Sequence, residues 1–282
     1  MKQLYESFYT RKYSLTIVFS SVAFKYMFNA CRIPHREMDG YRIYDPSLHK
    51  HCIVARKGVY FSFDFVDDEG NPLDIEQLEV NLMECIRLAD AAKDTPKLGF
   101  LTSSDRDSWA DAREEMITQG KENMVKALEK LESGALLLCL DEENPISRVE
   151  CANIFWTGHH SSGHNRWFDK SIQLMVTENG KAGLIGEHSM MDGMPMIAFA
   201  HSITGSPYVE KVKSNARNYE ANVKNIFSDC QSSLMAPSSL LPSMIEKSKV
   251  EFDKLISDHD LDVLSFQRYG SNHIKSMGYS PE

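Results

Sequence analysis

Ser171-Ile-Gln-Leu-Met-Val-Thr-Glu-Asn-Gly-Lys-Ala-Gly-Leu-Ile185 decides the fold. Two strands are joined there by Glu178-Asn-Gly180, and Asn-Gly suits a type I′ hairpin turn. The second strand runs directly into Gly186-Glu-His-Ser-Met-Met-Asp-Gly193. A histidine is thereby delivered to the end of a strand, where a substrate channel can reach the rim of a sheet.

Working outward, Ala135-Leu-Leu-Leu-Cys-Leu140 is apolar throughout, as expected of a buried strand. A weaker version of the pattern recurs through Ile146–Phe155. Further upstream, Ile53-Val-Ala55 and Val59-Tyr-Phe-Ser-Phe-Asp-Phe-Val66 read as strands joined at Lys57-Gly58, with Asp68–Pro72 as the exit loop. A helix follows, with Asp74 as N-cap, Gln77 at the capping-box position, and Leu78, Leu82, Cys85, Ile86 and Ala89 on its apolar face. A second helix is expected from Ser104 or Asp105 to Leu131, interrupted near Gly120 and ended by Gly134, because glycine is costly inside helices. Helix is expected again after Asp192, across Ser214–Phe227 and over Leu241–Asp258. Leu261–Phe266 reads as a strand, and the Ser/Pro-rich Cys230–Ser239 as a linker. The fold class is α/β with a mixed β-sheet flanked by helices.

The 282 residues carry a net charge of -9, with 42% hydrophobic and 25% charged residues. That balance describes a globular chain with an ample core and argues against nucleic acid as a partner. Six cysteines (Cys31, Cys52, Cys85, Cys139, Cys151, Cys230) are widely spaced and form no CxxC motif, so buried free thiols in a reducing, intracellular setting are expected. The longest apolar run, Leu15–Phe24, is too short to span a bilayer and reads as a buried helix or strand.

His188, four residues before Asp192 and five before Gly193, is the residue with chemistry. A neutral imidazole accepts a proton from a hydroxyl or thiol in a transition state. An Asp on the same loop can fix its geometry, and Gly193 would let the backbone turn tightly. His-x-x-x-Asp-Gly alone recurs by chance. His159, His160 and His164 crowd a Gly/Ser loop but lack a complete ligand set, so no metal is expected. Met190, Met191, Met194 and Met196 read as core packing.

Longer ordered matches carry a resemblance. Asn165-Arg-Trp-Phe-Asp-Lys-Ser-Ile-Gln173, the hairpin, and Gly183–Gly193 resemble the carnitine/choline acyltransferase family. So do Phe28–Pro34, His51–Arg56, Leu101-Thr-Ser-Ser-Asp-Arg-Asp-Ser-Trp-Ala110, Asp260-Leu-Asp262, Tyr269–Lys275 and Ser280-Pro281. The branch it most resembles is that of the fungal carnitine acetyltransferases.

The resemblance implies a chloramphenicol-acetyltransferase-like, two-domain fold and acyl transfer between CoA and carnitine, a step in fatty acid metabolism. Acyl-CoA is then a substrate, with no prosthetic group and no metal. His188 is implied as general base, while Asp192 and Gly193 orient it. Lys275 and Ser280 are implied as CoA contacts, although Ser271 stands where the family has a first lysine. Arg166, Trp167 and Asp169 are expected to be a packed, salt-bridged framework. Residues 1–230 are expected to form the acyltransferase domain carrying the histidine, and 231–282 the linker and the start of a second, incomplete domain. The chain thus resembles a central fragment with little or no activity of its own; complete, such an enzyme is expected to be monomeric, without a transmembrane span. The competing readings are a truncated, non-catalytic binding or regulatory module, and another CoA-dependent acyltransferase that uses His-x-x-x-Asp-Gly. Cytoplasm, mitochondrion and peroxisome are not distinguished.

Overall fold

A computed structural model describes residues 21–205 and 219–280. Eight strands are present among them: β1 (Ala30–Ile33), β2 (Gly40–Ile43), β3 (His51–Arg56), β4 (Val59–Asp64), β5 (Leu137–Asp141), β6 (Ile172–Thr177), β7 (Ala182–Gly186) and β8 (Lys224–Asn225). The first two form a ribbon, and the other six a mixed sheet in the order β7-β6-β5-β3-β4-β8. The β3–β5 and β5–β6 pairs are parallel, and the remaining neighbours are antiparallel. The main helices are α1 (Ile75–Ala91), α2 (Arg106–Ser133), α3 (Arg148–Thr157), α4 (Gly193–Gly205), α5 (Leu241–Ser257) and α6 (Ser271–Ser276). The expected α/β class and mixed sheet are observed.

Alternation of side chains sorts the sheet into two apolar faces. Ile53, Ala55, Tyr60, Leu137, Cys139 and Met175 face the long helix α2, whose Trp109, Met116, Met124, Leu128 and Leu131 are buried. Val54, Val59, Phe61 and Phe63 instead pack with Cys85 and Ala89 of α1. Both faces are covered, which explains why Ala135–Leu140 has no polar alternation.

Local signals act as expected at several ends. Asp74 caps α1 by accepting the Gln77 N–H at 2.8 Å, although the Gln77 amide reaches Asn81 and the Glu220 carbonyl rather than closing a reciprocal box. Asp105 caps α2 by accepting the Ser108 N–H. The interruption of α2 falls at Lys121, with φ 50° and ψ -137°, and a Cβ on Gly120 would lie 2.6 Å from the Met124 Cβ. All six cysteines are free, and Cys31, Cys85, Cys139 and Cys230 are buried.

Other expectations need correction. The β6–β7 turn is not type I′: the Gly180 N–H bonds the Thr177 carbonyl, the Thr177 N–H bonds the Lys181 carbonyl, and only Gly180 has positive φ, at 75°. That is a three-residue loop, a type I turn closed by a glycine bulge. The β3–β4 turn is the one with positive φ at both central residues, Lys57 (53°) and Gly58 (73°). Ile146–Phe155 contains α3, started by a reciprocal capping box between Ser147 and Glu150. Across Ser214–Phe227, residues 214–218 lie outside the described set. Residues 219–227 form no helix: Lys224–Asn225 contribute β8, paired with the edge of β4, and a turn begins at Ile226. Leu261–Phe266 is not a strand; it pairs with no other segment among the described residues, and Leu264 is 90% exposed. Most of Leu15–Phe24 also lies outside the described residues, and its last four enter a 3-10 helix, Ser21–Tyr26.

Candidate functional site

The site grows from the free edge of the sheet. β7 pairs with β6 up to Gly186, opposite Ile172, and the Glu187 N–H extends the ladder by one bond to the Ser171 carbonyl at 3.0 Å. The chain then leaves the sheet. Met190 and Met191 turn inward, the latter packing with Met27, Ile172 and Phe199, while His188 and Asp192 turn outward. Both of those side chains are 83% exposed, with His188 Nε2 3.9 Å from Asp192 Oδ1. That separation is too long for a hydrogen bond but allows electrostatic pairing. Asp192 also accepts the Gly193 N–H at 2.7 Å, at the start of α4, where unpaired amides favour a carboxylate.

Gly193 does not play the part expected of it. It is the first residue of α4, without left-handed backbone, and nothing lies within 4 Å of where a Cβ would stand. Lys275, on α6, and Ser280 lie on an exposed C-terminal segment, and α6 buries no residue. Met194 is 47% exposed, so the methionines are not all core; Met196 packs against the cluster around Met191.

Glu187 was not among the sequence-derived candidates, although it is the best-connected residue of this loop. Its buried Oε2 accepts the Ser189 N–H (3.1 Å), the Ser189 hydroxyl (2.7 Å) and the Met190 N–H (3.1 Å). Its Oε1 accepts Arg32 Nη1 at 3.1 Å. Arg32 also pairs with Asp39, Asp39 with Arg106, and Arg106 with Asp169, whose other oxygen accepts Trp109 Nε1 at 2.6 Å. Burial raises the Asp169 carboxyl above its ordinary range, against the opposing pull of Arg106 and Trp109. Alternation from His188 marks Glu187 as inward-facing, which is the signal that a buried acid needs partners.

The expected framework is present. Arg166 is fully buried against Asp141 and also bonds the Ile154 carbonyl, and Trp167 is buried in the α2 core. His159 and His160 meet edge-on, and His164 has separate surroundings. His160 Nδ1 pairs with Asp253 at 3.1 Å, while His164 packs against Phe100; burial, then Lys97, lowers its pKa to about 4. No group of three or more metal-ligating side chains occurs among the described residues. No described helix is long and apolar enough to cross a membrane.

His188 and Asp192 thus stand together on an open loop at the edge of a mixed α/β sheet. The sequence profile of the choline/carnitine O-acyltransferase family matches residues 2–282, and the chain belongs to that family. It is 30% identical over 261 residues to mitochondrial carnitine O-palmitoyltransferase 2 of Rattus norvegicus, covering 91% of this chain and 37% of the relative. Against mitochondrial carnitine O-acetyltransferase of Saccharomyces cerevisiae it is 27% identical over 278 residues, covering 92% and 39%. Against carnitine O-acetyltransferase of Columba livia it is 28% identical over 264 residues, covering 90% and 40%. The chain therefore spans about two-fifths of the length of these curated relatives.

Proposed function

We propose that this chain carries the general base of a carnitine O-acyltransferase. The observation that carries the reading is the open presentation of His188 beside Asp192 on the loop leaving β7. The His188 imidazole accepts the carnitine hydroxyl proton as that oxygen attacks the acyl-CoA thioester. The C–O bond forms, the C–S bond breaks, and the proton passes to the departing CoA thiolate. Asp192 orients the loop, Gly193 begins the helix behind it, and Lys275 with Ser280 meets CoA. No prosthetic group takes part.

A chloramphenicol-acetyltransferase-like pair of domains suits this role, with 1–230 as the unit bearing His188 and 231–282 opening the second. Exposed Leu264, Phe266, Tyr269 and Tyr279 in that segment support a further covering layer. Acetyl is the acyl group proposed. The names of the relatives include palmitoyl as well as acetyl transfer, so the choice is an experimental one. An intracellular compartment is proposed with it, two of the named relatives being mitochondrial proteins. Family membership argues against the reading as an unrelated acyltransferase. The binding or regulatory module is the remaining competitor.

The test is release of CoA thiol from acetyl-CoA and from palmitoyl-CoA, with and without carnitine. Carnitine-dependent release that disappears in His188→Ala supports the reading, and a preference for palmitoyl-CoA would overturn the acetyl assignment. Because the chain spans about two-fifths of its relatives' length, turnover far below that of a complete enzyme is expected; acyl-CoA binding with no turnover above the His188→Ala background would favour the non-catalytic module.

A further inference from the structure

We infer that Glu187 is the positioning residue of His188: its side chain clamps the turn that presents the imidazole and is itself held in place by Arg32. This rests on the reading of His188 as the base and extends it to a residue outside the reacting pair.

The His188 imidazole is 83% exposed, and the nearest charged partner found for it is Asp192 at 3.9 Å. Its direction is therefore set mainly by its backbone. That backbone is pinned on both sides by one residue. On the N-terminal side, the Glu187 N–H is bonded to the Ser171 carbonyl of the neighbouring strand. On the C-terminal side, Glu187 Oε2 gathers three donors from Ser189 and Met190, closing a ring around His188. A carboxylate oxygen serves three donors better than a neutral one, because hydrogen bonds to an ionised acceptor are roughly twice as strong.

The other oxygen accepts Arg32 Nη1, and Arg32 is anchored to Asp39. An amide at position 187 offers one acceptor oxygen. Turned toward the loop, it would set its own NH2 against Arg32; turned toward Arg32, it would set that NH2 against three donors. A neutral isostere thus cannot satisfy both sides.

The experiment compares the full chain with Glu187→Gln, following amide hydrogen exchange and the His188 Cε1–H resonance, assigned with His188→Ala. Loss of charge-assisted hydrogen bonds of this kind is expected to speed exchange at Ser189 and Met190 by about tenfold. The His188 resonance should move, while the signal of Trp167 stays in place. Unchanged exchange and an unchanged His188 resonance in folded Glu187→Gln would overturn the inference.

Ser189→Ala gives a second arm that spares the buried charge. It removes the 2.7 Å donor from an exposed side chain and is expected to shift the His188 resonance in the same direction by less. A His188 resonance that does not respond to Ser189→Ala would also overturn the clamp. Where the wild-type chain turns over, Glu187→Gln should lower kcat about tenfold and leave KM for both substrates within about twofold; an unchanged kcat counts against positioning. Exchange and resonance decide the role of Glu187 whether or not the chain turns over, so failure of the acyl-transfer reading would not by itself overturn the clamp.

Discussion

Arg166 and Asp141 form a bidentate pair with no solvent contact, Nη1 standing 2.9 Å from Oδ1 and Nη2 2.7 Å from Oδ2. Asp141 ends β5 and Arg166 lies in the connection that leads into β6, so the pair anchors the C-terminal end of β5 to that connection. Asn165 adds a third donor to the same carboxylate. Removing one partner strands a buried charge. Asp141→Ala is therefore expected to cost roughly 3–5 kcal/mol, read as a lower midpoint in urea with an unchanged m-value.

His188→Ala should behave in the opposite way. The side chain is 83% exposed. Its removal is expected to leave the thermal midpoint within about 2 °C and to lower any acyl-transfer rate by about 10²–10⁴-fold. Differential scanning fluorimetry beside the thiol-release assay checks both. Asp192→Asn should likewise spare stability and reduce the rate by less than His188→Ala.

Acid should loosen the fold through two histidines remote from the site. His51 Nε2 donates to the Lys130 carbonyl at 2.8 Å, and burial lowers its pKa to about 4; His164 is lowered to about 4 for the same first reason. Below the ordinary value of 6.5 the unfolded chain binds protons that the folded chain refuses. Stability present above that pH is thus lost as pH falls toward 4, on the order of 3 kcal/mol per histidine. His51→Gln, which keeps a donor for Lys130, should make the melting temperature less dependent on pH between these limits.

Gly99 and Gly180 separate two reasons for glycine. A Cβ on Gly99 would stand 2.2 Å from the His164 carbonyl oxygen and 2.5 Å from that of Arg166, both backbone atoms that cannot swing aside. Gly99→Ala is expected to cost about 3 kcal/mol or more. Gly180 has open space but φ of +75°, so Gly180→Ala should cost only about 1–2 kcal/mol. Chemical denaturation of the two variants under one condition checks the ranking.

Much of the architecture was legible because it rests on local chemistry. Asp74 and Asp105 cap helices through amides three residues away, and alternation in Ile53–Ala55 already divides two faces. Ser147-Arg-Val-Glu150 carries a capping box that was equally local, and the helix it starts was missed because α3 has no fully buried stripe. Leu261–Phe266 has the residues of a strand and, among the described residues, no neighbour to pair with. The Asn-Gly turn was placed correctly but given the wrong geometry, since one added loop residue moves positive φ from Asn179 to Gly180 alone.

Sequence by itself determined the α/β class, the hairpin, and the delivery of His188 and Asp192 onto one loop, because four residues of chain hold them together. Only the tertiary structure decided what steadies that loop. Glu187 meets Arg32 across 155 positions, and the ion pairs continue through Asp39 and Arg106 to Asp169. No local preference encodes such contacts. They exist because β1 and the end of β7 are folded against each other, and a carboxylate taken out of water there is stable only where distant donors converge on it.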